Sequence, residues 1–599
     1  MKRLTSIILV LILVMSMLAG CSKNTAKDTD KDSTDTASDG NVKVEEDTAT
    51  DEGDAAAEEE NTEPTEPRIL TSLMESSDGY VRNFNPYTTS VYQFCLGFMF
   101  EPLIVFDGLN NNEEHMWLAE DVISEPDNKT LTIKVRQGIK WSDGEDFNAD
   151  DVVFTYNYTK DHPEIDRSGD WGENGKYVEV TKVDDYTVKV VMKAENRFNR
   201  IDATFQKWIV PEHIFSKIDD PAAYVLENPV VTGAFSEVIS FKPEMVELGR
   251  NPNYWQADQL KVDILRVPQF NGNDGALALL QSGTVDWAHI FIPNAEDTYV
   301  QGDPHRKFWY GQNDAVRLAF NYMTPNADNL KAFTNVDFKR ACSMAVDRTG
   351  IIDSAVFGYL SKEVPSNTGL PPALFGYKSE AAEQEMAKYT TYDIEGAKAL
   401  LTSAGFVDSD GDGFVENPDG SKIAFEILSP AGWSDWNDGA AICAQGLQQI
   451  GVNATAKAID LSLIIESWGT GEHDVLYGGY GASPNIWKFY FDTIGDPSRV
   501  KTPTWWSTCQ TNYINEDMNA MIAKMPSASD TELKELTDGV EKYFAENMIN
   551  IPILYNGNWF VYNDSRFTGW ATAENPVCQP ANCVHDSKLL QLLKLEPVE

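Results

Sequence analysis

The sequence predicts a mixed α/β fold. Helical and strand periods alternate along the chain instead of occupying separate halves. Apolar residues fill 42% of 599 positions, enough for a large buried core. Turn and cap residues punctuate the periodic stretches. The length suits about three or four ordinary domains or one large multi-lobed one.

Composition excludes several functions. There are 48 basic and 93 acidic side chains, a net charge of −45. Such a chain repels phosphate backbones, so nucleic acid is not an expected partner. No run of 18 apolar residues occurs, which argues against a polytopic helical membrane protein. Seven cysteines are too few for a disulfide scaffold of this size.

Residues 1–20 read as a signal peptide. Lys2 and Arg3 precede an apolar run from Ile7 to Met17, and Leu18-Ala19-Gly20-Cys21 follows. That tetrad looks like a bacterial lipobox, in which Cys21 receives a diacylglycerol and becomes the first mature residue. Residues 21–68 then form a lipidated Cys and an acidic tether. Residues 22–68 hold five basic and sixteen acidic side chains, with Val42 and Val44 as the large apolar ones. Such a segment cannot offset the entropy of ordering and is expected to be disordered, with a reach of roughly 40 Å.

The elements beyond it follow from local chemistry. Leu131–Val135 alternates as a strand. Ser142-Asp143-Gly144 supplies a turn, since Asp-Gly favours a positive φ. Asn148 is placed to cap a helix whose first turn contains Asp151. Tyr186–Val191 is rich in β-branched residues and reads as a strand. Phe338, Ala341, Cys342, Ala345 and Val346 keep a helical rhythm. A further helix starts at Asp393 and stops at Gly405.

No phosphate-cradling loop, nucleophile elbow or zinc-type histidine pairing occurs, and no enzyme activity is expected. The abundant carboxylates leave a lipid-anchored secreted hydrolase as the rival class. One stretch has metal-ligand spacing. Asp408, Asp410, Asp412, Phe414 (through its carbonyl), Glu416 and Asp419 follow a calcium loop, with Asp in place of the usual Glu at the twelfth position. The alternative is an Asp/Gly-rich turn. No cofactor is required otherwise, and a structural Ca2+ is the candidate. Cys578 and Cys583 are close enough in sequence for a local disulfide, with free thiols as the alternative.

The stretch Trp141-Ser-Asp-Gly-Glu-Asp-Phe-Asn-Ala-Asp-Asp-Val-Val-Phe-Thr-Tyr156 resembles the signature of the extracellular solute-binding proteins of family 5, receptors of ABC importers for oligopeptides, dipeptides and nickel. Other matches occur in sequence order: Asn83–Tyr87, Val231–Phe235, Arg250–Trp255, Asn335–Ala341 with Ala345–Arg348, Ala397–Phe406 and Gln449–Asn453. The resemblance implies an α/β, periplasmic-binding-protein-like class II clamshell with two main lobes, a hinge and an extra inserted domain. Domain I would be 69–104, 211–306 and 555–599. Inserted domain II would be 105–210, and domain III 307–554.

The resemblance also implies a role. The chain would capture an extracellular solute, by family default an oligopeptide, and deliver it to permease and ATPase subunits. It would act as a monomer, lipid-anchored on the outer face of the cell membrane. The ligand region would lie between Asp474 and Asp492. Ungapped counting puts Ser483 where peptide receptors carry an aspartate for the peptide ammonium. Lys488 is the one charge between those two aspartates. Trp433, Trp468, Tyr477, Tyr480, Asn485 and Trp487 then remain as candidate ligand contacts, and flat aromatic rings make an oligosaccharide the rival ligand.

Overall fold

Two long strands tie the molecule together. Arg306–Phe320 spans 15 residues and Ile551–Asn563 spans 13, and they pair antiparallel. Their sheet runs in the order Trp287–His289, Ile551–Asn563, Arg306–Phe320, Val475–Gly479, Ala424–Pro430, Asn453–Ile459. The computed structural model describes residues 66–599 except 77, 167–168, 174, 480–482, 495–509, 585 and 599. The signal peptide, Cys21, the tether up to residue 65 and Tyr480 therefore lie outside the described residues, while Arg68 at the tether's end is held by Asp263 at 2.8 Å.

The first lobe is built on a second sheet, ordered Ile69–Thr71, Ile264–Phe270, Met245–Arg250, Phe235–Lys242, with Met74–Glu75 added along Ile264–Phe270. Residues 69–75 and 235–270 thus share one sheet although the insertion separates them. The inserted segment carries an antiparallel sheet, ordered Ala119–Ser124, Thr130–Val135, Thr187–Met192, Tyr177–Asp184. The strand and helix expectations hold: helix Ala149–Asp161 starts at Asn148 with a capping box closed by Asp151. Gly144 takes φ +97°, as the turn requires.

The insert packs onto the first lobe. Leu131, Val135 and Tyr156 of the insert share a single continuous core with Val246, Leu265 and Trp570. Insert and first lobe therefore form one packed body. The second lobe has cores of its own, one around Phe320, Phe338, Ile427 and Leu447, another around Phe489, Tyr490 and Phe544.

The signature motifs make the joint between insert and first lobe. Trp141 is fully buried, and its indole donates to Asp151 Oδ2 at 3.1 Å. Asp151 Oδ1 accepts the Glu212 N–H at 3.0 Å, where the chain returns to the first lobe. Ser142 N–H donates to the Val231 carbonyl at 2.8 Å, and Asn253 Nδ2 to the Trp141 carbonyl at 3.1 Å. Buried Glu101 accepts from the indoles of Trp117 at 2.6 Å and Trp255 at 3.3 Å. Motifs more than 100 residues apart thus converge on one junction.

Candidate functional site

The strand Arg306–Phe320 keeps Ile551–Asn563 on one edge throughout and gains a second neighbour past its middle. The first half of Arg306–Phe320 pairs with Gly557–Asn563, beside Trp287–His289 of the first lobe. Its second half stays paired with Ile551–Tyr555 and takes Val475–Gly479 of the second lobe on its other edge. The register shifts between Gln312 and Ala315, so Asp314 stands in a bulge where the chain passes from one lobe to the other. Asp314 is half-buried. Burial pushes its carboxyl up to about 7, with the nearby Arg317 guanidinium pulling the other way.

The helix Ser434–Gln449 aims its first turn at the first lobe. The approach is backbone to backbone: a Cβ on Gly432 would lie 2.9 Å from the Gly272 Cα, so neither position has room for a side chain. Asn273 N–H donates to the Gly432 carbonyl at 2.9 Å, and its amide to Ser434 Oγ at 2.9 Å. Trp433 crosses the gap, its indole donating to both Glu75 oxygens at 3.1 Å. Burial raises the Glu75 carboxyl, and the indole bond opposes it. Asp435 is buried, which pushes its carboxyl up to about 7 against the Asn273 amide bond. Trp436 packs edge-on against Trp433 (5.0 Å) and Tyr477 (5.9 Å), and its ring tip faces Gly479 beside the Ala315 carbonyl. The wall between the lobes is thus aromatic, and carboxyl groups line it.

The opposite rim is also in contact. Asn112 Nδ2 donates to the Pro484 carbonyl at 3.2 Å. Phe198 of the insert stacks on Trp487 at 6.1 Å and 6°. Arg197 N–H donates to the Pro526 carbonyl at 2.9 Å, its guanidinium to the Ala528 carbonyl at 3.1 Å, and it pairs with Asp530.

The expected ligand contacts therefore divide. Trp433 lies between the lobes, and Ser483 is half-buried near the rim contact of Pro484. Tyr477 is buried in the second-lobe core, with its hydroxyl against Gly439. Three others take part in packing or capping. Trp468 belongs to a core cluster with Ala319, Leu428, Ile464 and Leu476. Asn485 caps the helix Ile486–Thr493 by accepting the Lys488 N–H at 2.8 Å. Trp487 is covered by Phe198 and Phe491, so it clasps the rim. Lys488 is paired with Asp492 at 2.8 Å. Glu75, Asp314 and Asp435 were not singled out from sequence. The one local signal was the polar triplet Gln312-Asn313-Asp314 interrupting an otherwise strand-like run.

The acidic loop gathers four of its expected groups. Oxygens of Asp408, Asp410, Asp412 and Glu416 lie within 4.8 Å of one another. The Lys422 ammonium bonds three of them, Asp410 at 2.5 Å, Asp412 at 2.7 Å and Glu416 at 2.8 Å. Phe414 donates its N–H to Asp412 Oδ1 at 2.9 Å. Asp419 departs from the expectation: Lys331 at 2.7 Å and Ser421 hold it in a separate pair. For Cys578 and Cys583 the free-thiol alternative is the one the structure has, the first thiol buried and the second exposed.

Comparison with known proteins decides the family. The model for bacterial extracellular solute-binding proteins, family 5, matches residues 113–501. The chain belongs to that family. Di/tripeptide-binding protein 1 of Pseudomonas aeruginosa is 26% identical over 457 residues, covering 70% of this receptor and 78% of that protein. The periplasmic alpha-galactoside-binding protein of Rhizobium meliloti is 25% identical over 375 residues, 56% of this chain and 52% of that one. Among solved structures, a mannohexaose-bound periplasmic oligopeptide-binding protein from Thermotoga maritima has TM-score 0.78 at 24% identity, covering 89% of this chain and 99% of its own. The oligopeptide-binding protein AppA of Bacillus subtilis, in complex with a nonapeptide, has TM-score 0.71 at 20% identity, again covering 89% and 99%. The α/β clamshell is the fold, and the receptor is a substrate-binding protein of an ABC transporter.

Proposed function

We propose that this receptor captures an oligopeptide by its free amino terminus, with Asp314 as the counter-ion, and delivers it to its permease. The observation that carries the reading is Asp314 itself: a carboxyl at the lobe crossing, pushed up to about 7 by burial. A desolvated carboxyl gains most from a cation that arrives with its own charge. It would take the part that the uncharged Ser483 cannot. The aromatic pair of Trp433 and Trp436 at the lobe junction favours a second reading, an oligosaccharide stacked by its apolar faces.

Calorimetry on a mixed tripeptide pool and on manno- and cello-oligosaccharides tests the choice. Peptide binding should tighten from pH 6 to 7.5 as Asp314 ionises, and weaken again once the α-amine loses its proton near 8. Asp314→Asn should weaken it at least tenfold, as should N-acetylation. Tight sugar binding with no response to free-amino peptides overturns the first reading in favour of the second.

The receptor binds without turning over its ligand, and one chain carries both lobes, so a monomer suffices. Anchoring rests on the Leu18–Cys21 tetrad. Cys21→Ala should move the protein from the membrane fraction to the soluble one with ligand binding intact.

A further inference from the structure

The helix Ile486–Thr493 starts at the rim where the two lobes meet. Just before it, the Pro484 carbonyl accepts the Asn112 amide of the insert at 3.2 Å. In its first turn, the Trp487 ring stacks on Phe198 of the insert. The open end of this helix therefore faces the other lobe. The first N–H groups of a helix have no acceptor within it. Asn485 Oδ1 serves one of them, the Lys488 N–H, at 2.8 Å. The N–H groups of Ile486 and Trp487 meet no acceptor among the described residues.

The Asn485 side chain adds a third donor. It is 8% exposed, and its Nδ2 meets no acceptor among the described residues. The bond from Lys488 fixes which end of the carboxamide is oxygen. The NH2 group is thereby laid over the same turn, beside the two open N–H groups. A buried amide donor without a partner is costly, so this one calls for an acceptor that the chain does not supply. Three convergent donors at the positive end of a helix dipole suit an anion. No carboxylate side chain stands between positions 475 and 491, although the chain carries 93 acidic residues. Lys488 is already paired with Asp492 at 2.8 Å, so the donors of the site are amides.

We propose, resting on the peptide reading of the cleft, that this turn binds the ligand's C-terminal carboxylate, with Asn485 Nδ2 and the Ile486 and Trp487 N–H groups as donors. Asp314 and the turn then hold opposite ends of one zwitterion. Their connection limits its length. Val316, two residues from Asp314, pairs with Gly479, and Asn485 follows Gly479 by six residues. Six residues reach about 20 Å at most, so a short peptide spans the two ends. An uncharged oligosaccharide brings this turn no anion.

Calorimetry on the full chain compares three forms of one pool of di- to hexapeptides: free, C-terminally amidated and N-acetylated. The parent should bind the free pool at least tenfold tighter than the amidated pool. Asn485→Asp keeps the cap oxygen and puts a negative oxygen where the NH2 donor was. It should weaken the free pool at least tenfold and leave the amidated pool within twofold, with an unchanged circular dichroism spectrum. Asn485→Ser, which caps without a second donor, should fall between parent and Asn485→Asp. Equal affinity of the parent for free and amidated pools overturns the proposal. So do variants at Asn485 that lose both pools alike. A parent sensitive to N-acetylation but indifferent to amidation sinks this site alone. A parent that binds no peptide in any form sinks the peptide reading and this site with it.

Discussion

Asp151 shows how much a single buried acceptor organises. It takes the N–H groups of Asn148 (3.1 Å) and Glu212 (3.0 Å) and the Trp141 indole (3.1 Å) while it is 4% exposed. It caps its helix and ties the insert to the first lobe in one step. Asp151→Ala leaves three donors without their acceptor in a site that water barely reaches. The expected loss is about 3 kcal/mol, since each orphaned donor costs about 1–3 kcal/mol with partial relaxation. Urea unfolding followed by circular dichroism checks it, and an unmoved midpoint contradicts the assignment. The cap itself was legible, because Asn148 and Asp151 stand three residues apart before an apolar run. The bonds to Trp141 and Glu212 were not, because nothing local links positions 141, 151 and 212.

At the scale of elements, the rim clasp and the acidic loop each carry a prediction. Arg197 and Phe198 touch the second lobe only when the lobes meet, so they stabilise the closed state. An exposed ion pair contributes roughly 0–1 kcal/mol and an aromatic stack roughly 0.5–1.5 kcal/mol. The double change Arg197→Ala, Phe198→Ala should therefore weaken ligand binding about tenfold, mainly through faster release. Stopped-flow release rates equal to those of the parent would remove the insert from the closing mechanism. In the acidic loop, hydrogen bonds from Lys422 hold Glu416 down to about 2 and lower Asp412. A calcium ion has to displace that ammonium. The parent should melt alike in chelator and in millimolar calcium. Lys422→Met should melt lower in chelator and recover in calcium, because the ion then relieves the repulsion among Asp408, Asp410, Asp412 and Glu416. A calcium shift in the parent would show that the ion outcompetes Lys422.

For the whole molecule, carboxyls raised by desolvation shape the response to pH, four of them most strongly. Burial pushes Glu101, Asp314, Asp435 and Glu541 each up to about 7. Unfolded, they titrate near 4. Between pH 4 and 7 the folded chain therefore binds more protons than the unfolded one, and stability falls as pH rises through that window. Carboxylates held down by partners, such as Asp263 bonded to Arg68, lose their contribution only below it. Lys339 and Lys588, pushed down to about 7 by burial, act above it. Melting temperature should thus peak near pH 5 and drop toward pH 7. A rise between pH 5 and 7 would contradict this.

By itself the sequence determined whatever neighbours along the chain decide. The strand at 130–135, the capped starts at Asn148 and Asp393, the αL stop at Gly405 and the ordered family motifs depend on periods and caps within a few residues. Tertiary structure alone decided the site. Glu75 and Trp433 meet across 358 positions, and Asp314 matters because the register of two long strands shifts beside it where a second-lobe strand joins the sheet. Trp433, Trp468 and Trp487 look alike in sequence, yet one spans the lobes, one fills a core and one clasps the rim. A large aromatic side chain gains by leaving water in any of these places. Which surface it leaves water against is set by the packing of whole lobes, and no local pattern encodes that.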